Sequence, residues 1–113
     1  MEKKQIEEMI DLAIRQLDHS YVPYSHFHVA AALLAEDGTV YIGNNIENAS
    51  YSACVCAERT AFFKAVSQGK RRFKAIAICG GKDGKALEYY DFLLELDGGN
   101  EQVLSELEAC LIQ

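Results

Sequence analysis

Cys56-Ala57-Glu58, inside the run from Tyr51 to Ala61, places a thiol two residues ahead of a carboxyl. A thiolate binds zinc, and a glutamate that stays off the metal can take a proton from a metal-bound water and pass it on. The spacing is therefore that of half a hydrolytic metal centre. The matching half would be a Pro-Cys-x-x-Cys segment with two more thiolates. No such segment occurs in the chain, whose one proline is Pro23.

The other chemistry-bearing residues are fewer. Cys54, Cys79 and Cys110 complete the cysteine set. Four cysteines allow two disulfides, but nothing in the composition points to secretion, and a reducing cytoplasm is the expected setting. Cys79 ends an apolar run and Cys110 falls on the apolar face of a helical pattern, so both read as small buried hydrophobes, and Cys54 reads as structural. His26 and His28 flank Phe27 at i and i+2, positions that share a face on a strand, and His19 reads as an exposed helix-end residue.

At 113 residues, 50% hydrophobic and 25% charged, the chain has the composition of one globular domain spanning 1–113. No apolar run approaches the roughly 18 residues of a membrane span. Met1 to Gln5 leads straight into an amphipathic pattern without a signal-peptide core. Seventeen acidic against eleven Lys and Arg side chains give a net charge of −6. That balance disfavours a nucleic-acid backbone as partner, since phosphate contacts need a basic face. A small neutral or cationic ligand fits it better.

Helical spacing of Ile6, Met9, Ile10, Ala13, Ile14 and Leu17 predicts an amphipathic helix over about 3–18, ending before Pro23. Residues 28–35 read as a strand, Glu36-Asp37-Gly38-Thr39 as a hairpin turn, and Val40-Tyr41-Ile42 as the start of an antiparallel partner. A polar loop, 43–48, leads towards a helix over about 53–68, with Gly69 as its stop. Phe73 to Cys79 reads as a third strand, covered on both faces, and 80–84 as a loop. Helices are expected over about 86–96 and 101–111. The order predicts an α/β sandwich with a small mixed sheet, its third strand parallel to the second through a helical crossover.

Five segments in chain order resemble the small, homotetrameric cytidine deaminases: Pro23-Tyr24-Ser25-His26-Phe27; Ala31-Ala32-Leu33-Leu34 with Asp37-Gly38; Asn45-Ile46-Glu47-Asn48-Ala49; Cys56-Ala57-Glu58-Arg59-Thr60-Ala61; and Phe73-Lys74-Ala75-Ile76-Ala77-Ile78. The resemblance implies a three-layer sandwich with helices on both faces of the sheet. It also implies hydrolytic deamination of cytidine or deoxycytidine, a zinc cofactor, a pyrimidine nucleoside as partner and a homo-oligomer, tetramer or dimer. Residue by residue it makes Cys56 a zinc ligand, Glu58 the proton shuttle, and Asn45 and Glu47 the holders of the ribose hydroxyls. Phe27 would pack on the base, the backbone at Ala57 would face the pyrimidine edge, and Arg59 would offset thiolate charge.

The chain departs from the resemblance after the third strand. One register sets Asp97 and Asn100, and an ungapped one sets Leu93 and Leu96, where the second pair of thiolates belongs. Asp97 is then a weak zinc donor, or else 97–100 is a helix stop and cap. The family continues with two more strands, so a shortened or rearranged C-terminus is expected, with the third strand at a sheet edge that a rearranged C-terminal helical hairpin or another subunit would cover. The alternative to an enzyme is a deaminase-fold nucleoside binder or assembly subunit without catalysis.

Overall fold

The computed structural model describes residues 2–50, 54–82 and 90–95. In chain order these form helix α1 (Lys3–Arg15), a 3-10 turn (Leu17–His19), strands β1 (Phe27–Ala35) and β2 (Val40–Asn44), helix α2 (Ala57–Ser67), and strands β3 (Phe73–Lys82) and β4 (Tyr90–Glu95). The sheet order is β2-β1-β3-β4. Among the described residues no helix is long and apolar enough to cross a membrane.

Strand alternation sorts β1 into two faces. Ala30, Ala32 and Leu34 join Ala75, Ala77 and Cys79 of β3 beneath Met9, Ala13 and Leu17, which recur every fourth residue along α1 and its 3-10 extension. Ala31, Leu33 and Ala35 join Phe73 and Ile76 beneath Ala57, Ala61, Phe62 and Ala65 of α2. One helix covers each face, giving the three-layer sandwich that the resemblance implied.

Every ladder in the sheet is antiparallel, which corrects the expected mixed sheet. β3 does run in the same direction as β2, but it pairs with β1, Ile76 opposite Leu33 and Ile78 opposite Ala31. The α2 crossover carries the chain past β1 rather than to a neighbouring strand. β3 also continues through Gly80 and Gly81 to Lys82, where a loop was expected.

The larger correction lies in 90–95. The helix expected over 86–96 is instead β4, with Leu94 opposite Ile76 and Phe92 opposite Ile78. Leu and Glu suit either structure, but Tyr90 and Phe92 favour a strand, and the open edge of β3 offers a row of backbone groups to satisfy. That edge is thus paired within the chain, and the argument for self-association from an uncovered third strand falls. The helix expected over 101–111 lies outside the described residues, as do Leu96, Asp97 and Asn100.

One glycine decides how closely α2 approaches the sheet. A Cβ on Gly43 would sit 2.3 Å from the Ala61 nitrogen and 2.5 Å from the Ala57 carbonyl oxygen. Helix backbone rests directly on strand backbone there, and no rotamer change can relieve the overlap. At the opposite end of the sheet the hairpin turn is tied to the α2–β3 connection, where Lys70 Nζ donates to Asp37 Oδ2 and Arg72 Nε donates to Glu36 Oε2 at 2.9 Å.

Gly43→Ala should therefore destabilise the protein by about 3 kcal/mol, the upper end for overpacking, read as a fall in the urea midpoint. Lys70, then the Thr39 backbone N–H, lower the Asp37 pKa from 3.8 to about 2. A depressed carboxyl contributes stability above its unfolded value and loses it as pH falls through the folded one. The pair should therefore add stability above about pH 4 and lose it towards pH 2. Asp37→Asn should flatten that acid limb of a midpoint-against-pH curve, and the effect should shrink in high salt.

Candidate functional site

Antiparallel pairing brings the start of β1, the end of β2 and the end of β3 to one end of the sheet. The start of α2 joins them, because Val55 bridges to Ile46 just after β2. Three loops are zipped together there by backbone bonds. Tyr21 N–H donates to Asn45 O at 3.1 Å, Glu47 N–H to Tyr21 O at 2.8 Å, and Ile46 and Val55 exchange bonds of 2.9 and 3.0 Å. Phe27, Asn45, Glu47, Cys56, Ala57 and Glu58 all belong to this end.

Asn45 acts as a side-chain extension of the ladder. Its Oδ1 accepts the Val29 N–H at 2.9 Å and its Nδ2 donates to the Phe27 carbonyl at 2.9 Å. The amide is thereby oriented, and one Nδ2 hydrogen remains for another acceptor. Glu47 clasps the segment before β1, its Oε1 accepting the Tyr24 and Ser25 N–H groups, each at 3.1 Å. Hydrogen bonding from Ser25, side chain first and then backbone, holds its carboxyl below the usual glutamate range. Ser25 Oγ in turn accepts the Phe27 N–H at 3.1 Å. Phe27 alternates with Val29, Ala31 and Leu33, so it falls on the α2 face of the sheet. Its ring lies over Gly80, where a Cβ would come within 2.9 Å of Cε1.

Cys56 is the N-cap of α2, and its Sγ accepts the Arg59 backbone N–H at 3.4 Å. The helix therefore starts at Ala57 rather than near 53, because the cap residue is extended. Burial pushes the Cys56 thiol up, and the adjacent Glu58 charge adds to this, outweighing the Arg59 N–H. The helix terminus alone would favour a thiolate, but here desolvation wins. Glu58 is 5% exposed, the only fully buried charged side chain among the described residues. Burial raises its pKa, against the opposing influence of its own backbone N–H and of the neighbouring Cys56 and Arg59 side chains. Ala57 is buried, its carbonyl lies against Gly43, and as the first helical residue its N–H has no acceptor within the helix.

The histidines are not brought together as a pair. His28 Nδ1–H donates to Leu17 O at 2.8 Å. His26 lies before the strand with φ 58, left-handed backbone in which face alternation does not apply. Three site-building residues escaped the sequence reading. Gly43 seats α2. Asn44 Nδ2 ties β2 to Gln16 O at 2.7 Å. Ser25 links Glu47 to Phe27. A glycine inside a strand pattern is a known sign of close backbone approach, so Gly43 at least carried a signal.

The profile of the cytidine and deoxycytidylate deaminase zinc-binding region matches residues 3–89. The chain belongs to this family. It is similar to a cytidine deaminase of Sporosarcina psychrophila, 57% identical over 79 residues that make up 70% of this chain and 58% of the relative. A probable cytidine deaminase of Dictyostelium discoideum is 39% identical over 81% of this chain and 70% of its own length. Among solved structures, cytidine deaminase from Mycobacterium tuberculosis superposes with a TM-score of 0.66 at 32% identity, covering 90% of this chain and 75% of that one. The Burkholderia pseudomallei enzyme gives 0.62 at 46% identity, covering 69% and 61%. The match thus spans well under two thirds of the Sporosarcina relative.

The zinc implied by the family needs three protein ligands and an open position. Among the described residues no three His, Cys, Asp or Glu side chains come together to hold a metal. Cys54 is turned onto Asn48, accepting its N–H at 3.1 Å and donating to its carbonyl at 3.2 Å. Cys79 packs on the α1 face, its thiol 3.8 Å from Ile10 O. Cys56 is thus one donor of the required three, and the described set does not fit the metal.

Asn45→Ala should leave the Val29 N–H without its acceptor and cost about 1–3 kcal/mol. Asn45→Asp keeps that acceptor but sets a carboxylate oxygen against the Phe27 carbonyl, so a similar loss is expected. Denaturant titration checks both, and unchanged midpoints would show that the clamp contributes nothing.

Proposed function

We propose that the protein is a pyrimidine-nucleoside deaminase, converting cytidine or deoxycytidine and water to the uridine product and ammonia. One observation carries this: a buried carboxyl, Glu58, at the first turn of α2 on the sheet face that bears Phe27, beside the Asn45–Glu47 loop. A carboxyl whose pKa is raised by burial is suited to taking and returning protons near neutral pH. Glu58 takes the proton of the water that adds to C4 of the cytosine ring and delivers it to N3. It then takes the proton of the new C4 hydroxyl and gives it to the amine, so that the C4–N bond breaks, ammonia leaves and the C4 carbonyl forms. Phe27 packs on the base, the Ala57 N–H faces the pyrimidine edge, and Arg59 offsets negative charge around Cys56. The second Glu47 oxygen and the remaining Asn45 Nδ2 hydrogen take the ribose hydroxyls, as an ionised carboxylate and an oriented amide can.

Self-association into a dimer or tetramer belongs to the same proposal. Exposed Tyr21, Tyr24 and Phe63, at 59%, 64% and 53%, support it now that the edge-strand argument is gone. A second reading, a nucleoside binder without turnover, is favoured by the single thiol donor at Cys56.

The test follows the fall in cytidine absorbance with and without added zinc. Turnover should drop by about 10²–10⁴-fold in Glu58→Gln, with cytidine still raising the melting temperature. Thermal stabilisation by cytidine without turnover in either arm would select the binder. Neither effect in the unaltered protein would overturn both readings.

A further inference from the structure

We infer that zinc is not a resident cofactor of this 113-residue chain, and that Cys56 takes the metal only weakly and exchangeably. The inference rests on the donors rather than on the nucleoside reading. Of the four cysteines, Cys54 is bonded to both backbone groups of Asn48. Cys79 is buried on the α1 face, across the sheet from α2. Residues 83–113 contain one cysteine, Cys110, and no histidine. Even with every residue counted, Cys56 gains at most one further thiolate, and its remaining partners would come from histidines and carboxylates. Asp97 is the one that the motif register favours.

The Cys56 side chain has another partner. Its sulfur accepts the Arg59 backbone N–H at 3.4 Å and so caps α2. Zinc with an incomplete sulfur set exchanges with solvent chelators, whereas a full set of N and S ligands is retained.

The experiment measures zinc per chain after expression with supplementary zinc, desalting and dialysis against EDTA. Bound zinc should fall at least tenfold below one per chain. Cobalt(II) titration should give a sulfur-to-metal charge-transfer band weaker than that of a three-thiolate site. One zinc per chain that survives EDTA and disappears in Cys56→Ser would overturn the inference. Retained zinc insensitive to Cys56→Ser would also overturn it, by placing a resident metal elsewhere on the chain. Thermal stabilisation of the metal-free sample by cytidine is read in parallel. Its absence would count against the nucleoside reading and leave the metal result standing.

Discussion

The contact on which the rest depends is backbone against backbone, where α2 crosses β2 at Gly43. A helix held off the sheet by a side chain would have to shift its first turn outward, and Cys56, Ala57 and Glu58 would move with it. Here the helix rests on Ala57, Ala61 and Ala65, each fully buried, and the missing Cβ of Gly43 completes the seat. Placement of the buried acid is therefore a packing result before it is an electrostatic one.

A second constraint works from the other side. Asn45 and Glu47 spend most of their polar capacity on protein groups, namely the backbone of Phe27, Val29, Tyr24 and Ser25. Residues assigned by resemblance to ligand contact are thus also clasps for the segment that carries the aromatic ring. The polar atoms they have left over come pre-oriented, which would lower the ordering cost of binding a ligand there. Loss of either side chain mixes recognition with stability, so affinity changes in such variants need to be set beside melting data.

Periodicity made most of the fold legible. α1, the β1–β2 hairpin, α2 and β3 follow from apolar spacing and turn chemistry, because in each the buried face is written in the residue order. β4 was not legible, since its residues suit a helix as well as a strand and only the open edge of β3 decides between them. Pairing order was equally hidden. A helical crossover shows that β2 and β3 point the same way, but not that β1 lies between them. At the site, Cys56-Ala57-Glu58 announced itself by residue type and spacing, whereas Asn45-Ile46-Glu47 entered only through the family resemblance. Gly43 and Ser25 did neither, because their part is defined by what approaches them in space.

Alanine recurs at both interfaces of the sandwich: Ala30, Ala32, Ala75 and Ala77 on the sheet under α1, Ala31 and Ala35 on the sheet under α2, and Ala57, Ala61 and Ala65 on α2 itself. Layers separated by single methyl groups have almost no slack, since such side chains possess no rotamers with which to absorb an error. Mutational drift in this protein is consequently lopsided. Substitutions on the outward faces of the two helices should be tolerated, whereas an extra carbon at an inner alanine should push helix and sheet apart.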